Sequence, residues 1–223
     1  MKLGIVADVH CNIAGLRTAL DEMGPVDELI CAGDAVYQFR FSNDVIELLR
    51  ERNARYILGN HERVLLSEWG ERARSGDGVR KELVDYMASR PFETNTVVDG
   101  KKLLLVHGSP YDPHDEYLYP NSPNLQKLSG LDADIVILGH THYHMALPVG
   151  RTLVINPGSA GEARDHRNGF QLSCAVLDTQ SGEVTFHHYA DPTRPAIDPA
   201  IVPQPATNAQ SEFRPPENAA WWD

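Results

Sequence analysis

The chain is 223 residues long, enough for one domain with a substantial core. At 42% hydrophobic and 23% charged it has the balance of a globular protein, and no apolar run is long enough to span a bilayer. A formal net charge of −11, with no offsetting Lys/Arg run, disfavours nucleic-acid backbones and anionic membranes as partners, so no nucleic-acid binding platform is expected. The same acidity is compatible with phosphate binding, because bound cations supply local positive charge. The apolar run at the start is followed at once by Asp8 and His10, without the longer stretch and small-residue cleavage site of a signal peptide. Cys11, Cys31 and Cys174 form no CxxC pair. Together these features predict a cytoplasmic protein with reduced thiols.

In chain order, the first β-leaning run is Leu3–Ala7, followed by helical periodicity over Ile13–Glu22. A second run, Glu28–Cys31, precedes a helical segment at Asn43–Arg50, and a third run follows at Arg55–Leu58. Leu83, Val84 and Met87 predict a helix within Val79–Ser89. The later half is richer in strands, at Lys102–Val106, Ile135–Leu138, Leu153–Ile155, Gln171–Leu177 and Glu183–Tyr189. Several runs are almost continuously apolar, as strands buried on both faces are. This order predicts an α/β domain of stacked layers over residues 1–194. Residues 195–223 form a Pro-rich tail expected to lie outside the core, with the terminal Trp221-Trp222 as a docking point, on the chain itself or on a neighbouring copy in a homo-oligomer.

Almost every predicted strand is followed by Asp, Asn or His: Asp8 and His10, Asp34, Asn60 and His61, His107, then His140 and His142. The carboxyl ends of strands in α/β sheets converge on one edge, where sites are built. Taken singly, these clusters have plain explanations, because Gly33-Asp34 suits a turn and Asn60 could cap a following helix. Alternate residues of an extended Gly139-His140-Thr141-His142 segment point the same way and can share one metal site. Mixed imidazole and carboxylate donors suit manganese, iron, zinc or similar divalent ions, whereas calcium favours oxygen alone.

The succession Asp8-x-His10, Gly33-Asp34, Gly59-Asn60-His61-Glu62, His107-Gly108 and Gly139-His140-Thr141-His142 resembles the signature of the calcineurin-like metallophosphoesterase superfamily. His107-Gly108-Ser109-Pro110 with Tyr117-Leu118, and Asn156-Pro157-Gly158-Ser159, are similar to its small bacterial and archaeal phosphodiesterase branch. The resemblance covers about residues 1–190 and implies a four-layer αββα sandwich of two mixed β-sheets flanked by helices, with the metal site at the carboxyl ends of strands. It implies two divalent metal ions, manganese first, with iron, zinc, nickel or cobalt as alternatives. Asp8, His10 and His142 would hold one; Asn60, His107 and His140 the other; Asp34 would bridge them. The implied reaction is hydrolysis of a small-molecule phosphodiester or phosphomonoester by a metal-bridging hydroxide. Asn60 and His61 would be catalytic, with His61 protonating the leaving oxygen and Asn60 also contacting substrate.

Protein serine/threonine phosphatases of this superfamily carry an acid and an arginine just after the Gly-Asp motif, where this chain has Ala35-Val36-Tyr37-Gln38. His61 therefore lacks an evident orienting carboxylate, and the protein-phosphatase reading is disfavoured. A dinucleoside polyphosphate hydrolase is a further alternative, as is a non-catalytic protein-binding scaffold of the same fold; the complete ligand set favours the enzyme. Arg164 is a candidate for substrate phosphate, and His144 continues the alternation of His140 and His142. Cys11 reads as an inert small side chain.

Overall fold

The computed structural model describes residues 1–195, 211–216, 219 and 222. The chain begins β1 (Lys2–Val6), α1 (Ile13–Met23), β2 (Glu28–Cys31), α2 (Asn43–Glu51), β3 (Arg55–Tyr56), α3 (Asn60–Leu66). It continues α4 (Glu71–Arg74), α5 (Lys81–Ala88), β4 (Glu93–Val98), β5 (Lys101–Val106), β6 (Ile135–Ile137), β7 (Met145–Val149) and β8 (Thr152–Asn156). Strands β9 (Leu172–Asp178), β10 (Val184–Tyr189) and β11 (Glu212–Phe213) complete it. Helix starts are set by side-chain caps. Asn12 accepts the Gly15 amide before α1, and Ser42 accepts the Val45 amide before α2.

These strands make two mixed sheets, ordered β11-β10-β9-β1-β2-β3 and β4-β5-β6-β8-β7. β1, β2 and β3 run parallel, as do β5, β6 and β8. Strand alternation sorts the apolar residues into layers. Leu3 and Ile5 of β1 meet Leu103 and Leu105 of β5 in the core between the sheets, while Val6 turns towards Leu16, Ile46 and Leu49 of the helices. On the far side, Leu104 and Val106 pack with Val136, Val154, Leu125 and Leu128. The expected four layers are therefore present as two mixed sheets flanked by helical segments. The outermost layer on the second sheet is the 3₁₀ segment Pro123–Gly130 instead of an α-helix. Among the described residues, no helix is long and apolar enough to cross a membrane.

Two strands, β4 and β7, arise outside the β-leaning runs of the sequence. They are the edges of the second sheet; β4 buries little of its surface, whereas Met145, Ala146 and Val149 of β7 are buried. β4 accordingly reads Glu-Thr-Asn-Thr-Val-Val, and β7 tolerates Pro148. Of the run Arg55–Leu58, only Arg55 and Tyr56 pair in the sheet, and the Leu58 amide instead donates to the Pro91 carbonyl.

Parts of the Pro-rich segment lie against the core, contrary to the expectation of a tail outside it. β11 pairs antiparallel with β10, and Trp222 is 5% exposed within the inter-sheet core, its ring against Gly182. Its indole N–H donates to the Gln180 carbonyl at 3.3 Å, and the Lys101 ammonium lies 4.9 Å from its ring. Trp221 and residues 196–210 lie outside the described residues. Trp222→Ala is expected to cost about 3 kcal/mol in denaturant unfolding, the low end for deleting a large buried aromatic. A change within about 0.5 kcal/mol, the range of surface substitutions, would show that the docking contributes nothing.

Candidate metal centre

The carboxyl ends of β1, β2 and β3 deliver Asp8, His10, Asp34, Asn60 and His61, and those of β5 and β6 deliver His107, His140 and His142. The site thus straddles the same edge of both sheets. Delivery requires sharp backbone bends. Asp8, His10, Asp34, His140 and His142 all have left-handed φ, between 49° and 69°. Such a conformation costs a non-glycine residue of order 1–3 kcal/mol, and its clustering marks a functional site. Two motif glycines are explained by close approach. A Cβ on Gly59 would lie 2.2 Å from Asp34 Oδ1, and one on Gly33 would lie 2.6 Å from His107 Nδ1.

The side chains form overlapping donor groups. Asp8, His10 and His142 bring ligand-type atoms within 4.8 Å of one another, as do Asp34, His107 and His140, and a third group joins His10 and Asp34 to His61. His10 Nε2 and His142 Nε2 are 3.1 Å apart, and His142 Nε2 is 3.4 Å from Asp8 Oδ1. His107 Nε2 is 3.2 Å from Asp34 Oδ2 and 3.1 Å from Asn60 Oδ1. Asn60 is the first residue of α3, and Gly59 precedes it as the cap, so the Asn60 side chain is not spent on capping.

Backbone carbonyls orient two of the rings. His107 Nδ1 donates to the Ala32 carbonyl (2.7 Å) and His142 Nδ1 to the Glu162 carbonyl (2.8 Å), which turns each Nε2 into the site. Burial depresses His10 to about 2 and both His140 and His142 to about 4, so these three rings are neutral and present lone pairs at physiological pH. His107 differs. Burial opposes its charge, but the Asp34 carboxylate outweighs burial and holds it up to about 10. A cation would displace that proton.

Glu62 is the residue that sequence reasoning left without a role. It is fully buried directly behind Asp34 and accepts five hydrogen bonds. Its Oε1 takes the amides of Ala35 (2.6 Å) and Val36 (3.2 Å) and the Tyr56 hydroxyl (2.7 Å). Oε2 takes the amides of Asp34 (3.0 Å) and Gly59 (2.9 Å). One carboxylate therefore ties the turn carrying Asp34 to the turn carrying Asn60. In return, Asp34 Oδ1 accepts the His61 amide at 2.9 Å.

Around the rim, Tyr37 stacks on His10 with centroids 4.5 Å apart, and Arg164 pairs with Glu162 at 2.8 Å. Glu162 Oε2 lies 3.8 Å from His10 Nε2, so Arg164 stands beside the site at its open face. Cys11 is structural in its contacts. Its thiol donates to the Arg40 carbonyl and accepts the Tyr37 amide, and burial raises its pKa. His144 points away, 2.7 Å from Asp165 and edge-on to Phe186 and His188. The segment is not extended as expected: both His140 and His142 have left-handed φ, their rings enter different donor groups, and His144 falls outside both.

Comparison with known proteins agrees with this architecture. The chain belongs to the calcineurin-like phosphoesterase superfamily, whose domain model matches residues 1–182. It is 31% identical over 189 residues to phosphodiesterase MJ0936 of Methanocaldococcus jannaschii, covering 82% of this chain and 96% of that one. It is 24% identical over 215 residues to the uncharacterized protein MJ0912 of the same organism, covering 82% and 84%. The crystal structure of a metallophosphoesterase from Sphaerobacter thermophilus superposes with a TM-score of 0.69 at 27% identity, covering 86% of this chain and 89% of that one.

Proposed function

We propose that the chain hydrolyses small phosphate esters, diesters foremost, with two divalent cations held by the seven ligand-type side chains. The observation that carries this reading is their convergence from five strand ends of two sheets into overlapping donor groups. The residues fit cations. Asp8 Oδ1 and His140 Nε2 are buried ligand atoms with no hydrogen-bond partner among the described residues, a costly state that coordination relieves. Asp8, His10 and His142 would hold one ion, Asn60, His107 and His140 the other, and Asp34 would serve both. Ions in such a pair lower the pKa of water and offset charge on the phosphoryl oxygens.

The protein's own contribution lies in what surrounds that pair. His61 was expected to be a proton donor. Its Nδ1 accepts the Gln38 amide at 3.2 Å, so the neutral ring carries its proton on Nε2, which lies 3.8 Å from Asp34 Oδ2. Where an orienting carboxylate would favour the imidazolium, a backbone N–H opposes it, and burial also lowers the pKa. His61 in this reading is a neutral hydrogen-bond donor to phosphoryl oxygen. The Arg164 guanidinium adds positive charge at the open face.

Elemental analysis of the purified chain is expected to find up to two divalent ions. Hydrolysis of bis(p-nitrophenyl) phosphate should depend on added manganese, iron, zinc, nickel or cobalt and be abolished by chelation. A chain that stays metal-free in manganese and hydrolyses neither diesters nor monoesters would remove this function. His61→Ala should lower turnover by roughly 10²-fold, the scale of one lost transition-state donor, and equally on nitrophenyl and alkyl esters. A loss confined to the alkyl ester, whose leaving group needs a proton, would make His61 a general acid instead.

A further inference from the structure

A row of aromatic side chains runs outward from the candidate site on the side of His140. Tyr117 stacks on the His140 imidazole with centroids 3.8 Å apart and planes at 28°, yet remains 47% exposed. Tyr119 continues the row nearly parallel to it, at 6.1 Å and 9°. Tyr143 meets Tyr119 edge to face at 5.2 Å and is fixed in turn by its hydroxyl on His166 (2.8 Å) and by Arg167 over its ring (5.0 Å).

The backbone presenting this row is well ordered by hydrogen bonds. Gly108 and Ser109 donate to the carbonyls of Pro113 and Asp112, Glu116 accepts from Ser109 and Asn124, and the Tyr119 amide donates to Ser122 Oγ. Leu118, between the two tyrosines, is 2% exposed and anchors the loop in the core. Tyr117 stays 47% exposed and Tyr119 half-buried, so both rings, besides their contacts within the row, keep surface open to solvent. Rigid aromatic faces held on an ordered loop attract flat π-systems by stacking, at little entropic cost. A group covalently joined to a phosphate lying against His140 would be delivered to Tyr117.

We propose that Tyr117, Tyr119 and Tyr143 form a subsite for a flat aromatic group of the phosphate ester, a nucleobase being the chemical class that fits. The inference rests on the phosphoesterase reading and adds to it a substrate class, nucleoside phosphate esters. Adenosine monophosphate and ribose 5-phosphate share the phosphate and sugar and differ by the base, so they isolate the subsite. Equilibrium binding of both is measured on the manganese-supplemented full chain, alongside bis(p-nitrophenyl) phosphate hydrolysis by the same preparation. The nucleotide should bind at least about tenfold more tightly, the scale of one base–aromatic stack. Tyr117→Phe should keep that ratio. Tyr119→Leu, which removes a ring touching none of the seven proposed ligands, should reduce it with metal content unchanged. Equal affinities in a preparation that hydrolyses the diester would overturn the subsite alone. Absence of hydrolysis with every metal would overturn the phosphoesterase reading beneath it.

Discussion

Asp34→Asn is expected to reduce hydrolysis of bis(p-nitrophenyl) phosphate by more than about 100-fold, beyond the range seen when a residue merely orienting a metal ligand is lost. Among the described residues, Asp34 is the carboxylate shared between the donor groups of the two proposed triads. Its Oδ2 lies 3.2 Å from His107 and 3.8 Å from His61, while its Oδ1 accepts the His61 amide. The substitution keeps size and shape but removes the negative charge and replaces one acceptor with a donor amide. His107 should lose the partner that keeps it protonated up to about 10 against the pull of burial. Elemental analysis separates the two ways this can act. Loss of about half the bound metal places Asp34 on one ion, and loss of nearly all of it places Asp34 on both. Full metal content with full activity would refute the bridging assignment.

Glu62→Ala is expected to destabilise the fold by more than about 4 kcal/mol, the range of a broken buried hydrogen-bond network. It would strand four backbone amides and the Tyr56 hydroxyl in the interior. Glu62→Gln preserves volume but cannot preserve the pattern. A glutamine amide accepts only at its oxygen, so its NH₂ must face either the amides of Ala35 and Val36 or those of Asp34 and Gly59, all donors. The glutamine variant should therefore also be destabilised, by less than alanine, and bind metal more weakly because the Asp34 and Asn60 turns are no longer tied together. Denaturant unfolding and metal titration measure the two effects. Near-native stability of Glu62→Ala would show that these donors find other partners.

The ligand-type residues were legible in the sequence because their chemistry is written in their side chains and their positions at strand ends follow from short-range pattern. Glu62 was not, although it is adjacent to His61. Beyond its local contacts with the Gly59 amide and the Tyr56 hydroxyl, its role is defined by the amides of Asp34, Ala35 and Val36, 26 to 28 residues earlier, which local sequence does not reveal. The His61 environment was half legible. The missing acid was visible as Tyr37 and Gln38, but the backbone amide on His61 Nδ1 was not, since any residue at 38 would supply it. Edge strand β4 escaped for the opposite reason, a side-chain pattern that solvent exposure leaves almost free, whereas the apolar β7 is interrupted by Pro148, which only an edge tolerates. His144 shows that period-two alternation cannot be extrapolated along a segment whose backbone is not extended.

The ligand-type residues divide between the sheets, with Asp8, His10, Asp34 and Asn60 supplied by the first and His107, His140 and His142 by the second. On the proposed assignment each ion takes ligands from both, so it acts as a rivet through the seam between the layers. Separating the layers would then require releasing the ions, and the folded state gains by mass action whatever affinity they have for it, about 2.7 kcal/mol at a concentration one hundred times the dissociation constant. Supply of metal would thus govern the lifetime of the protein as well as its turnover, so that a metal-starved chain is exposed to proteolysis by the same deficit that silences it.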